Sequence, residues 1–388
     1  MAARCPHRSS LSKRAAVVPV FKGSYGRFRE QGHIHRETAL RRLTKATGTP
    51  SCEPGLFMPM CAAGRGERNG CGKPREDQMS RSAGIHHVTA ICSDPRRNAA
   101  FYTDILGLRM VKRTVNFDDP TTWHLYYGDE TGSPGTALTF FAWGSLPPGR
   151  SGVGQAVATS FMIPERSLAY WTGRLADKGV PHGEPERRFD QTVVALRDPD
   201  GMNLELVATK GARALPAWAA GPVPEEHAIR GFHGVTLLVS EVEPTAEVLT
   251  QALGFTAAGV DGAHHRFVGA AGPFGMVVDL RLQSDGTPGR QGAGSVHHVA
   301  FRAANDAAEL AMATAVRDMG LKPTDQIDRQ YFHSVYFREP GGILFEIATD
   351  APGFTVDEPR DQLGRSLKLP AWYEARRQEI EAALPALG

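Results

Sequence analysis

Cysteine is scarce in this chain. Of the five in 388 residues, Cys5, Cys52, Cys61 and Cys71 fall within the first 78 positions, and Cys92 stands alone in the rest. No disulfide framework can be drawn for residues 79–388, and the N-terminal spacings contain no C-x-x-C pair of the kind a zinc knuckle uses. Long hydrophobic runs are missing too. Nothing approaches the roughly 18 apolar residues of a membrane span, and the early run from Ala15 to Phe21 is too short for a secretory signal and contains Pro19. Surplus charge is also absent, since 44 Lys and Arg stand against 42 Asp and Glu. The first 78 residues hold 15 basic and 6 acidic side chains, which leaves 29 against 36 in the remainder. That acidic body carries no electrostatic footprint for nucleic acid. A cytoplasmic enzyme or binding protein with no membrane or nucleic-acid partner is the expectation.

Residues 1–78 show no sustained period of 2 or 3.6. They read as a disordered or non-native N-terminal extension of the reading frame, with one short helix near Glu37 to Ala46. From Ile85 onward the chain repeats itself. Three strand-like phrases recur: Gly84-Ile-His-His-Val-Thr89, Gly231-Phe-His-Gly-Val-Thr236 and Ser295-Val-His-His-Val-Ala300, with a weaker fourth at Ala156 to Phe161. Each precedes a helical stretch closed by a glycine suited to a left-handed helix end, namely Gly107, Gly179, Gly254 and Gly320. Asp94-Pro95 reads as a cap with proline in the first turn, and Asp306 with Glu309 as a capping-box pair. Short strands follow each glycine, and the second and fourth units close on Asp198-Pro-Asp-Gly201 and Glu339-Pro-Gly-Gly342.

The expected fold is therefore α+β, with four βαβββ modules forming two incomplete barrels, because one such unit buries too little surface by itself. Residues 84–209 hold the first two modules, 210–230 a linker rich in Ala and Pro, and 231–350 the third and fourth modules. Residues 351–388 form a tail with a helix from Pro370 to Leu384.

Aligned on their closing glycines, the units place His87, Thr159 and Gly234 each 20 residues before the glycine; His298 matches His87 through the shared phrase. Glu205 and Glu346 fall in register on the closing strands, and unit one has no acid near Thr139. His87, His298 and Glu346 would make a two-histidine, one-carboxylate set that leaves three coordination positions open, the pattern of non-haem Fe(II), with Mn(II) also accommodated. Such a site exists only if unit one pairs with unit four, the arrangement that concentrates the ligands in one barrel. Glu205 reads as a strand residue that is paired or solvated. His233 reads as structural, and His264 and His265 as exposed in a glycine-rich turn.

The repeated unit, Asp198-Pro-Asp-Gly201 and the His/His/Glu set resemble the vicinal oxygen chelate superfamily of glyoxalases, bleomycin-resistance proteins and extradiol dioxygenases. Within it, His86-His87, His297-His298, the run from Asp328 to Gly342, Leu344 to Asp350 and the Leu369-Pro-Ala-Trp-Tyr-Glu374 tail resemble the hydroquinone-type ring-cleaving dioxygenases. The resemblance covers about residues 84–388. It implies pairing of unit one with unit four, a metal held by His87, His298 and Glu346, and His86, Thr89, His297, Arg329 and Tyr336 around metal and substrate. The implied activity is Fe(II)-dependent ring cleavage of a hydroxylated aromatic, with a small aromatic and O2 as the partners and a homo-oligomer compatible with the pattern. Two rivals stand beside it: a glyoxalase-like lyase or isomerase, which usually needs four protein ligands, and a metal-free binding protein of the resistance type.

Overall fold

The computed structural model describes residues 82–270 and 272–387; the expectations for residues 1–78 lie outside the described residues. Unit one contributes strands β1 (Ile85–Cys92), β2 (Arg109–Asn116), β3 (Asp119–Gly128) and β4 (Ala137–Ala142). Unit two contributes β5 (Gln155–Pro164), β6 (Glu186–Arg188), β7 (Gln191–Arg197) and β8 (Asn203–Thr209), and unit three β9 (Phe232–Val239), β10 (Thr256–Asp261), β11 (His264–Val268) and β12 (Val277–Leu282). Unit four adds β13 (Val296–Ala303), β14 (Ile327–Asp328), β15 (Phe332–Arg338) and β16 (Leu344–Pro352).

These strands form two eight-stranded sheets in the orders β14-β15-β16-β13-β1-β4-β3-β2 and β10-β11-β12-β9-β5-β8-β7-β6. The first joins unit one to unit four through the antiparallel pair β1 and β13, and the second joins units two and three through β5 and β9. Each sheet thus takes one unit from each half of the chain. Apolar side chains from sheets and helices fill the core, with Trp171, Tyr102, Phe140, Phe301 and Phe345 buried. Each such burial is worth about 1.5–3 kcal/mol before the entropy of ordering is counted.

The four helix-ending glycines all take positive φ, from 64° to 78°, where a Cβ would be strained. Asp94 caps its helix by accepting from the backbone N–H groups of Arg96 and Arg97. The second expected cap is displaced by one residue. Asn305 accepts from Ala308 N at 3.0 Å, leaving Asp306 inside the helix and bonded to His333, while Glu309 turns to Gln326. An Asn at the first extended position captures the free N–H before the next residue can.

The closing phrases tie the sheets together. Asp198 accepts from Asp200 N and Met202 N within its own turn, and from the Tyr102 hydroxyl on the helical segment of unit one. Glu339 does the same with Gly341 N, Ile343 N and the Thr245 hydroxyl of unit three. The expected C-terminal helix is two short ones, Ala371–Glu374 and Arg377–Ala383, broken where Arg376 leaves helical geometry. Among the described residues no helix is long and apolar enough to cross a membrane.

Candidate metal centre

Consecutive strand residues normally face opposite sides of a sheet, yet His86 and His87 touch, as do His297 and His298. The register explains this. Ile85 pairs with Phe301 and His87 with Ala300, so His86 is an extra residue; Thr89 pairs with His298 and Ala90 with Val296, so His297 is another. Two β-bulges related by the internal symmetry therefore turn the adjacent rings toward each other.

The outcome is a paired arrangement. His86 Nδ1 lies 2.9 Å from His87 Nδ1, and His297 Nδ1 lies 2.8 Å from His298 Nδ1. This leaves both inner Nε2 atoms pointing at one spot, 3.4 Å apart. Glu346 Oε2 completes the cluster at 2.9 Å from His298 Nε2 and 3.3 Å from His87 Nε2. All three side chains are buried, the glutamate completely.

Glu346 Oε1 accepts from Ser334 at 2.5 Å, which fixes the carboxylate. Its Oε2 has no hydrogen-bond partner despite full burial, an arrangement that costs free energy unless a cation supplies the missing contact. The donor set therefore fits a divalent metal, with Nδ1 of each ligating ring held by a second histidine. Burial pushes the Glu346 carboxyl up, but the facing His87 and His298 imidazoles outweigh it and hold the group well below the usual carboxylate range. Burial first, then the neighbouring ligand ring, lowers His86 and His297 to about 3, so both outer rings are neutral at physiological pH.

The remaining expected residues gather here too. Thr89 is buried and its hydroxyl lies 2.8 Å from that of Thr139. Arg329 donates from Nε to the Tyr336 hydroxyl at 3.2 Å and sits 3.3 Å from Asp118, and the Tyr336 ring lies 5.8 Å from that of His298. Burial and the Glu346 charge push the Tyr336 phenol above its ordinary range, against the pull of Arg329, so it keeps its proton.

One group escaped the sequence reading. His124 is bonded through Nε2 to the Thr139 hydroxyl and through Nδ1 to the Tyr126 hydroxyl, both at 2.9 Å. Burial, then the charges of His87 and His298, hold it well below the ordinary histidine range. The internal repeat contained the signal: Tyr336 pairs with Glu346 as Tyr126 pairs with Thr139, so Ser334 and His124 are counterparts. Thr139, with His124 against it, fills the place where a fourth, acidic ligand would stand.

The second sheet repeats the bulges but not the ligands. His233 occupies the bulge equivalent to His86, and the ligand positions hold Gly234 and Ala158. Ala158 rather than Thr159 corresponds to His298, because helix lengths differ between units and counting back from a glycine misplaces the strand. Glu205 is paired with Arg188 at 2.9 Å and with the Ser160 hydroxyl at 2.6 Å. His264 and His265, expected in an exposed turn, are half-buried in β11, where pairing with β12 extends the strand through them. Glu205→Ala should accordingly leave the metal-to-protein ratio at its wild-type value in elemental analysis; an emptied site would place the metal in the wrong sheet.

The model of the Glyoxalase/Bleomycin resistance protein/Dioxygenase superfamily matches residues 84–206 and 231–347. The chain is 44% identical over 304 residues to a Bacillus subtilis protein named "Putative ring-cleaving dioxygenase MhqO", covering 78% of this chain and 96% of that one. It is 32% identical over 306 residues to chlorohydroquinone/hydroquinone 1,2-dioxygenase of Sphingobium indicum, covering 77% and 95%. A crystal structure titled as a putative dioxygenase from Bacillus subtilis superposes with a TM-score of 0.76 at 42% identity, covering 80% of this chain and 98% of that one. With a twofold match to the family model, the bulged histidine pairs and the two eight-stranded sheets in agreement, the chain belongs to the glyoxalase, bleomycin-resistance and dioxygenase superfamily.

Proposed function

We propose that this chain is a cytoplasmic Fe(II)-dependent dioxygenase that opens the ring of a hydroquinone, with Mn(II) as the alternative metal. The observation that carries the reading is the convergence of His87 Nε2, His298 Nε2 and the unpartnered Glu346 Oε2 beside the Arg329–Tyr336 pair. Three ligands instead of four favour oxygen chemistry over a glyoxalase-like reaction, since open positions are needed for both O2 and the aromatic. When bound, ferrous iron would supply those positions and couple O2 electronically to the electron-rich ring, which provides the reducing equivalents.

The protein groups handle protons and orientation. A para-diol cannot reach one metal through both hydroxyls, so its remote oxygen must be held by protein donors. Tyr336 keeps its proton and has Arg329 on its oxygen, which suits it to donate to a phenolate and to stabilise the charge that develops there. His124, held neutral by burial, has both ring nitrogens on the Thr139 and Tyr126 hydroxyls, and through Thr139 it reaches Thr89, so it fixes the orientation of these hydroxyls beside the site. His86 and His297 orient the ligand rings.

Oxygen uptake by protein loaded anaerobically with Fe(II) tests this. Hydroquinones should be consumed with one O2 per ring, and faster than catechol. Tyr336→Phe and Arg329→Ala should each lower hydroquinone turnover by about tenfold to a hundredfold, the loss of one buried hydrogen bond in the transition state, while iron content stays constant. Faster cleavage of catechol with both variants unimpaired would rule out the hydroquinone assignment.

A further inference from the structure

A groove of about 390 Å³ opens where β5, β13 and β16 begin, lined among others by Gln155, Arg290, Gln291, His297 and Arg338. That is within the size range of small-molecule sites. None of its lining residues is acidic, and neither arginine forms an ion pair among the described residues. Arg338 donates to the Gly342 carbonyl and Arg290 to that of Pro148, contacts that steady each guanidinium without neutralising it.

His297 also lines the groove, with its Nδ1 2.8 Å from that of His298. Gln291 already donates to the His297 carbonyl and retains a second amide hydrogen. Two arginines that form no ion pair among the described residues and a glutamine amide thus line one concavity with no carboxylate to oppose an anion.

We propose that this groove binds a small organic carboxylate and that its ligand is the ring-opened acid, an identity that rests on the ring-cleavage reading. Cleavage of the bond between a hydroxylated ring carbon and its hydrogen-bearing neighbour puts one atom of O2 on each, so the first becomes a carboxylic acid, which ionises, and the second an aldehyde. A neutral or singly ionised phenol thus becomes a carboxylate for which paired arginines are the fitting receptor.

Calorimetric titration of the metal-loaded full chain with cis,cis-muconate, a six-carbon unsaturated diacid, tests the proposal without turnover. Wild type should bind it, and the double variant Arg290→Gln/Arg338→Gln should bind at least about tenfold more weakly with unchanged metal content. The charge-preserving Arg290→Lys/Arg338→Lys protein should retain most of the affinity, which separates lost charge from lost folding. Inorganic phosphate and neutral muconamide should bind much more weakly. No muconate binding by wild type, equal binding by the double Gln variant as expected for direct chelation of the metal, or a preference for phosphate would each overturn the assignment. A protein that binds muconate here yet consumes no O2 would retain the carboxylate site and lose the ring-cleavage reading.

Discussion

Glu346→Gln is expected to strip the protein of bound metal. The carboxylate is the only anion among the three converging groups, and its Oε2 is buried with no partner except the two imidazoles. A carboxamide keeps the size but removes the charge that offsets a dication, and it can place an N–H where a lone pair is required. Replacing groups that merely orient a metal ligand lowers affinity by about tenfold to a hundredfold, so loss of a ligand should exceed a hundredfold. Elemental analysis after anaerobic loading and desalting should find close to one equivalent of iron in wild type and little in the variant. Stoichiometric iron in Glu346→Gln would mean that the cluster is an internal ion pair and the metal lies elsewhere.

Lys112→Met should cost about 3–5 kcal/mol of stability, the usual range when one partner of a buried ion pair is removed. Lys112 is fully buried in β2, with its ammonium 2.5 Å from both Asp357 and Glu358, 3.0 Å from the Phe354 carbonyl and over the Tyr331 ring. Without the lysine, two neighbouring carboxylates lose their counter-charge, and Glu358 is almost completely shielded from water. Thermal denaturation should show a fall on the order of 10 °C, and adding Asp357→Asn and Glu358→Gln should recover most of it. The same junction seats Phe354 against Tyr126, whose hydroxyl holds His124, so the metal-loaded variant should also turn over more slowly. A melting temperature equal to wild type would show that the tail is held by its apolar contacts alone.

Lys112 also marks where sequence reading stops. In Arg109-Met-Val-Lys-Arg-Thr-Val-Asn116 nothing separates a lysine on a solvated edge strand from one closed over by a tail 245 residues away. Helix ends were legible because a left-handed residue demands glycine, and the strand units because they recur. The three residues that converge could be picked out since a repeated His-His phrase and an acid within an apolar strand are both unusual, and counting candidate ligands favoured joining unit one to unit four. The bulges were not legible, because they add a residue without changing its type, and Thr159 was aligned with the position that Ala158 occupies because the distance from strand to closing glycine differs between units. His124 was missed for a related reason. It lies outside every repeated phrase and acquires meaning only once Thr139 is seen to replace the acid of the matching strand.

The way the sheets draw on the chain has a consequence for how the protein is made. The strands of units two and three are neighbours in sequence, so the sheet without ligands can close while synthesis continues. The other sheet joins unit one to unit four, and the two converging histidines of its candidate site are 211 residues apart. Until β13 and β16 have left the ribosome, β1 has an unpaired edge and His87 has no companions. Closing so long a loop is slow, and an exposed strand edge invites pairing with other chains in the interval. The chain thus has a built-in order of assembly in which the inert half can mature first, and the site that would hold a redox-active ion cannot exist before β16 has emerged.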